Sequence, residues 1–359
     1  KHPYYQALTG LLHALRAVYP PENGLLAEPP QAVTDAVQAL LNETMRLFRE
    51  PIASGEAMAE VSAAARACTP FLYAAQHFSE RYAVLAEAHG KERTVQLYCL
   101  SPAEHIAAIT KGLRGTVFFS ATLSPLPAMR ALLGGTEDDA CFALPSPFPP
   151  ERLAVLRRRV NTRYEGREAS AGAVAAIIAD AAAARRGKYI AFFSSYAYLR
   201  LIAQRLEELD TPPLLVQESE MSEDAKARFL EAFTRDQSPK LGLCVLGGMF
   251  SEGVDLPGDQ LIGAIIVGMG LPTPSQRLQA LQGYYERRFG DGFLYAWQIP
   301  AMQKVAQAGG RVIRTETDRG MIVLIDDRYF DRRYQQLLPP EWQMSGESVA
   351  EAAKRLESL

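Results

Sequence analysis

Long apolar runs are missing from this chain. No stretch approaches the ~20 consecutive apolar residues that a membrane span needs. The opening Lys1-His2-Pro3-Tyr4-Tyr5 lacks the charged start and apolar stretch of a secretory signal. A soluble, cytoplasmic protein is expected, with no membrane partner. Cysteine is also scarce: Cys68, Cys99, Cys141 and Cys244 lie far apart and form no Cys-x-x-Cys pair, so neither a disulfide framework nor a metal site is expected. Cys99 and Cys244 stand in strand-like apolar runs, where a free thiol behaves as a small hydrophobe. Two phosphate-handling motifs are absent as well: a Gly-rich loop ending in Gly-Lys-Thr/Ser, and an acidic pair after a strand with histidine behind it. Gly90-Lys91-Glu92 and Gly115-Thr116 come nearest and lack the glycine spacing. The net charge of −3 offers no cationic surface, so nucleic-acid binding would need a local basic lining.

What is present is enough chain for more than one core. At 359 residues, two or three compact units are expected. Val33, Val37, Leu40, Leu41, Met45 and Phe48 recur at helical spacing from Gln31 to Glu50, and Pro51 stops the pattern. An Ala-rich helical stretch follows from about Gly55 to Ala88, with a break expected near Pro70 and closure at His89-Gly90, so the N-terminal segment reads as all helical. Thr94 to Leu100 and Gly115 to Ser120 then read as strands bracketing a helix. Leu144-Pro145-Ser146-Pro147-Phe148-Pro149-Pro150 reads as a connector.

Beyond the connector, helices at Ala171 to Arg185 and Tyr196 to Leu209 alternate with apolar strands. These strands fall at Tyr189 to Phe193, Leu214 to Gln217, Leu241 to Leu246, Ile262 to Val267 and Met321 to Ile325. Near-continuous apolar strands of this kind predict an α/β fold: a parallel sheet covered on both faces by helices, with ligand loops at its carboxyl edge. Three segments follow: a helical segment over 1–92, a short β-α-β stretch over 93–150, and the α/β domain over 151–359.

Two loops carry candidate chemistry. Gly247 to Gly258 sets two acids among glycines, and reads either as a turn or as a ligand loop. Gln307-Ala308-Gly309-Gly310-Arg311-Val312-Ile313-Arg314 sets two arginines three apart. On a helix that spacing puts both guanidinium groups on one face, able to grip phosphate oxygens, though a solvated face would look the same. Arg157-Arg158-Arg159, with Arg163 and Arg167, reads as a solvated strand edge or the lining of a nucleic-acid path. Tyr284, Tyr285 and Trp297 read as core or as stacking faces.

In order along the chain these elements resemble the XPD/DinG family of superfamily 2 DNA helicases, colinearly from about Thr94 to Phe330. Ser120-Ala121-Thr122-Leu123-Ser124-Pro125 resembles motif III, Phe192-Phe193-Ser194-Ser195-Tyr196 motif IV, Ser251-Glu252-Gly253-Val254-Asp255 motif V, and Gln307 to Arg314 motif VI. Thr317-Asp318-Arg319-Gly320 and Asp326-Asp327-Arg328-Tyr329-Phe330 also fit.

The resemblance implies a RecA-like second motor domain of the P-loop NTPase type over 151–359, the end of the Arch insertion over 1–92, and a return segment of the first motor domain over 93–150. It implies that Arg314 and Arg311, with Gln307, act on the γ-phosphate. Asp255, Glu252, Gly253 and Gly310 would bind nucleotide or couple to it, and Ser194, Ser195, Tyr196, Thr122 and Ser251 would contact DNA. The implied cofactors are ATP and Mg2+ in a complete motor, with any iron–sulfur cluster ligated upstream of this chain and no metal held by it. The implied partners are single-stranded and forked DNA and a first motor domain that supplies the absent phosphate loop.

Overall fold

The computed structural model describes residues 2–22, 24–49, 55–250, 256 and 258–359, with backbone only at 56 and 57. Two compact units are present. One comprises Lys1–Thr116, Arg130–Glu137 and Thr273–Ala296; the other comprises Val117–Met129, Asp138–Pro272 and Trp297–Leu359.

The first unit opens with α1 (Pro3–Arg16), where the His2 imidazole accepts the Tyr4 amide at 3.2 Å and Pro3 takes a first-turn position that needs no donor. In α2 (Gln31–Leu47) the buried face runs through Val33, Val37, Leu40 and Thr44. Met45 and Phe48, expected on that face, are exposed. Thr44 replaces them because its hydroxyl is satisfied within the helix, donating to the Leu40 carbonyl at 2.8 Å. α3 (Gly55–Gln76) continues through Pro70 rather than breaking there. Arg66 and Pro70 both lie exposed, so the carbonyl that proline strips of its donor can turn to water.

The all-helical expectation fails between α1 and α2 and again after α3. A three-stranded antiparallel sheet is built from β1 (Leu25–Leu26), β2 (Tyr82–His89) and β3 (Glu92–Cys99). The Ala-rich composition of β2 favours helix locally, but pairing along its whole length with β3 overrides it. The two-residue loop Gly90-Lys91 closes the hairpin with Gly90 at φ +59°, the left-handed position that a II′ turn reserves for glycine. The expected 92/93 boundary falls within β3, after its first residue, so a single hairpin spans it. α4 (Ala103–Thr110) follows. The helix Gln276–Phe289 also belongs to this unit, although the sequence reading assigned it to the C-terminal domain. Its Arg277 donates to Gln96 at 2.6 Å and Tyr285 to the Leu100 carbonyl at 3.3 Å.

Gly115 to Ser120, expected as a strand, has no ladder partner among the described residues. Val117 and Phe119 are 82% and 90% exposed. A β-prone run makes a strand only against a neighbouring edge, and among the described residues it pairs with none.

The second unit carries a seven-stranded parallel sheet in the order β10-β4-β9-β8-β5-β7-β6. The strands are β4 (Leu153–Arg158), β5 (Lys188–Phe193), β6 (Leu214–Val216), β7 (Lys240–Val245), β8 (Gly263–Val267), β9 (Gly320–Ile325) and β10 (Met344–Ser345). Tyr189, Ala191 and Phe193 of β5 point to one face, against α5 (Arg167–Ala184), α6 (Tyr196–Leu206) and α9 (Val349–Glu357). Alanines at 171, 175, 181 and 182 let α5 lie close to the strands. Across the sheet, α7 (Glu223–Thr234) sets Phe229 and Phe233 over Gly242, where an added Cβ would meet Phe233 at 3.4 Å. α8 (Ile299–Gly309) leads into the loop before β9.

Candidate functional site: two edges of one sheet

The last turn of α8 rests on an indole ring. A Cβ on Gly309 would lie 2.3 Å from Trp342 Cη2. The Val312 amide donates to the Gly309 carbonyl at 3.2 Å and the chain leaves the helix. Arg311 and Arg314 therefore stand on a loop, not on one helical face as their spacing predicts, since two glycines in succession stop the helix before either arginine. What orients the loop is Asp318, which is buried. One carboxylate oxygen accepts the Arg314 and Thr315 amides at 2.7 and 2.8 Å, and the other accepts the Thr315 hydroxyl at 2.6 Å.

Gln307, Gly310, Arg311 and Arg314 share a cleft of about 670 Å³ at the amino ends of β4 and β9. Its other walls come from Ser120 to Thr122, the Pro145 to Pro150 connector and Trp342. Arg311 is buried and Arg314 exposed, so the first is a charge of the wall and the second a charge at the mouth. Thr122 lies on this cleft, where its carbonyl accepts from Gln303 of α8 at 3.3 Å. The resemblance had grouped Thr122 with Ser194, which lies at the other end of the strands.

At the carboxyl edge, β5 delivers Ser194 and Ser195. The Ser195 hydroxyl caps α6 by accepting the Tyr198 amide at 3.3 Å, and the Ser194 hydroxyl accepts from Arg167 at 2.9 Å. The Arg167 Nε donates to the Thr162 carbonyl at 3.3 Å and its guanidinium lies 4.7 Å from the Tyr198 ring centroid. Buried Asp326 anchors the neighbouring loops: it accepts from Arg328 at 2.8 and 2.7 Å and from the Thr162 hydroxyl. The Tyr329 hydroxyl donates to the Gly268 carbonyl at 2.8 Å, and burial holds that phenol well above its ordinary pKa. The Tyr196 hydroxyl accepts from Gln217 Nε2 at 3.1 Å, while Gln217 Oε1 accepts the Val245 amide at 2.8 Å. Gln217 therefore ties Tyr196 to the root of the Gly247 loop. Ser251, Glu252, Gly253 and Asp255 lie outside the described residues. Gly247, at φ +74°, brings the start of that loop against Lys304 of α8.

Thr162 and Gln217 were not singled out from the sequence, because their partners Asp326, Tyr196 and Val245 lie on other segments and no local pattern marks them. Arg167 was read only within a basic cluster, and Asp318 and Asp326 only within the two trailing segments that fit the family. Tyr284 and Tyr285 are core rather than stacking faces. Tyr285 packs against Phe289 and Tyr295, and burial pushes its phenol up to about 12. Arg157 and Arg159 lie over the Phe330 ring at 4.5 and 4.2 Å. Cys244 is buried, whereas Cys99 is exposed on β3 and does not serve as core. Among the described residues no group of three or more His, Cys, Asp and Glu is gathered to hold a metal, and no helix is long and apolar enough to cross a membrane.

A parallel sheet of this order, with an arginine-bearing loop before one strand and a hydroxyl-bearing helix start after another, defines a RecA-like α/β domain. Residues 178–345 match the model of the helicase C-terminal domain. The ATP-dependent helicase DinG of Mycobacterium tuberculosis (strain ATCC 25177 / H37Ra) is 31% identical over 268 residues, covering 71% of this chain and 39% of that protein. The ATP-dependent DNA helicase YoaA of Escherichia coli (strain K12) is 30% identical over 257 residues, covering 70% of this chain and 39% of that protein. A solved apo structure of XPD superposes with a TM-score of 0.59 at 16% identity over 93% of this chain and 67% of that one, a likeness of fold. The chain belongs to the XPD/DinG family of superfamily 2 helicases, of which it carries the C-terminal portion. It spans about two fifths of the length of these two sequence relatives, 39% of each.

Proposed function

We propose that this chain is the arginine-finger half of an ATP-dependent DNA helicase motor that moves 5′ to 3′ on single-stranded DNA and opens forked duplexes. The observation that carries the reading is the gathering of Gln307, Arg311 and Arg314 on one cleft, with the Arg314 backbone pinned by Asp318. Guanidinium forks on such a wall neutralise charge that spreads over a phosphoryl group in transfer. Thr122 and Gln303 link motif III to the helix that carries Gln307, a direct path between the segments. Ser194, Ser195 and Tyr196, with Ser251, contact the DNA backbone and give a grip indifferent to sequence, as translocation requires. Asp255, Glu252, Gly253 and Gly310 bind the nucleotide or pass on its state. In this reading residues 1–92 end the family's Arch insertion and 93–150 return through the first motor domain. That domain supplies the phosphate cradle and the Mg2+ ligands.

The test is reconstitution. The chain alone, with ATP, Mg2+ and single-stranded DNA, should release no phosphate above background. Adding a first motor domain that bears Gly-Lys-Thr/Ser and the acidic box should give DNA-stimulated turnover that is lost on Arg311→Ala and Arg314→Ala. Turnover indifferent to both substitutions would end the proposal. A second reading is a non-catalytic module for binding DNA or docking a partner. That reading expects DNA binding without turnover even in the reconstituted mixture.

A further inference from the structure

Tyr164 is 85% exposed, yet it is held in a tight turn between β4 and α5. The Gly166 amide donates to the Arg163 carbonyl at 2.8 Å, and Asn161 accepts the Arg163 amide at 3.1 Å. Ser170 clamps the Asn161 carbonyl at 2.9 Å, and a Cβ on Gly166 would meet the Asn161 side chain at 2.7 Å. An aromatic ring left in water on so constrained a turn is preorganised for contact, with little ordering entropy left to lose.

Single exposed tyrosines are ordinary, and what distinguishes this one is its neighbours. The Arg167 guanidinium lies 5.6 Å from its ring centroid and donates to Ser194 Oγ at 2.9 Å. Ring, cation and hydroxyl thus stand in a row at the carboxyl edge of the sheet, where α/β folds receive ligands. Exposed Tyr5, Tyr19 and Tyr73 belong to the first unit.

We infer that Tyr164 is a base-stacking residue for single-stranded nucleic acid, taking the base of a nucleotide whose phosphate meets Arg167 and the Ser194 hydroxyl. Arg167 supports both ends, with cation–π contact behind the ring and charge beside the phosphate. Because every base has a π-face, the contact adds affinity without sequence preference. The inference rests on the nucleic-acid reading of this edge.

The test is anisotropy at low salt with the full chain and two labelled strands, an oligothymidine and an abasic deoxyribose-phosphate strand of equal length. Tyr164→Ala should weaken oligothymidine binding by about 5- to 150-fold, the loss of one base–aromatic stack. It should leave the abasic strand's affinity unchanged, and Tyr164→Phe should bind both strands like the wild type. Unchanged oligothymidine affinity in Tyr164→Ala, or an equal loss on both strands, would overturn the inference while the wild type's binding keeps the nucleic-acid reading intact. Failure of the wild type to bind either strand would overturn both.

Discussion

The Asp318 carboxylate holds the backbone of Arg314, accepting its amide at 2.7 Å and that of Thr315 at 2.8 Å. A long flexible side chain can serve as a finger only if its root is fixed, and the exposed Arg314 has its root fixed here. Asp318→Ala should leave the fold intact and lower turnover of the reconstituted motor by about 10- to 100-fold, the scale of a misplaced catalytic group. Arg314→Ala should cost about 1,000-fold or more. The double substitution should be no worse than Arg314→Ala alone, because both remove one function. Additive losses in kcat would show that Asp318 acts independently of the finger.

Gln217 makes a second link that can be measured. It is 3% exposed and joins the Tyr196 hydroxyl to the Val245 amide. Gln217→Leu leaves a part-buried amide unmatched and should cost about 1–3 kcal/mol in urea unfolding, whereas Tyr196→Phe should cost about 1 kcal/mol. In a double-mutant cycle the two should couple by at least about 0.5 kcal/mol. A coupling of zero would mean that the contact carries no energy between the two loops.

Acid sensitivity should appear at the α9 end of the sheet. Hydrogen bonds from Arg355, at 3.1 and 3.2 Å, hold the Glu347 carboxyl below the ordinary carboxylate range against the opposing effect of burial, and Ser345 adds a smaller contribution. The folded-state pKa lies below the unfolded one. The stabilisation is therefore present above the ordinary value of about 4.3 and is lost as pH falls through the lower folded value. Glu347→Gln should flatten the stability curve between about pH 5 and pH 3 relative to wild type. Parallel curves for the two proteins would remove this pair from the acid response. Ser348→Ala, which breaks the capping box with Glu351, should lower stability by about 1 kcal/mol.

Much of the fold was legible because β5, β7, β8 and β9 are buried on both faces and their residues carry no polar alternation. β4 was hidden because its apolar run is only Leu153 to Leu156 before it meets three arginines. β2 was hidden by alanines that favour helix, and only its pairing with β3 reveals it. At the site, Gln307, Arg311 and Arg314 were legible as a motif, but their geometry was not. Spacing alone implied a helical face, while the loop is shaped by Gly309, Gly310, nearby Asp318 and the distant Trp342. Contacts such as Arg167 to Ser194 join residues far apart in the chain, and no periodicity encodes them.

That dependence on Trp342 gives the last prediction. An alanine at 309 places its Cβ 2.3 Å from Trp342 Cη2 and 3.1 Å from Ile322 Cδ1. The helix end cannot yield toward β9, which is buried on both faces, so the added methyl must push the last turn of α8 away from the indole. Overpacking of this kind costs about 1–3 kcal/mol, and here the shift is passed directly to Arg311, two residues on. Gly309→Ala should therefore lower both stability and the turnover of the reconstituted motor. Trp342→Phe, whose smaller ring does not reach the position of Cη2, should restore part of each when combined with it. If stability returned in the double variant while turnover stayed low, the glycine would be needed for more than its fit against the indole.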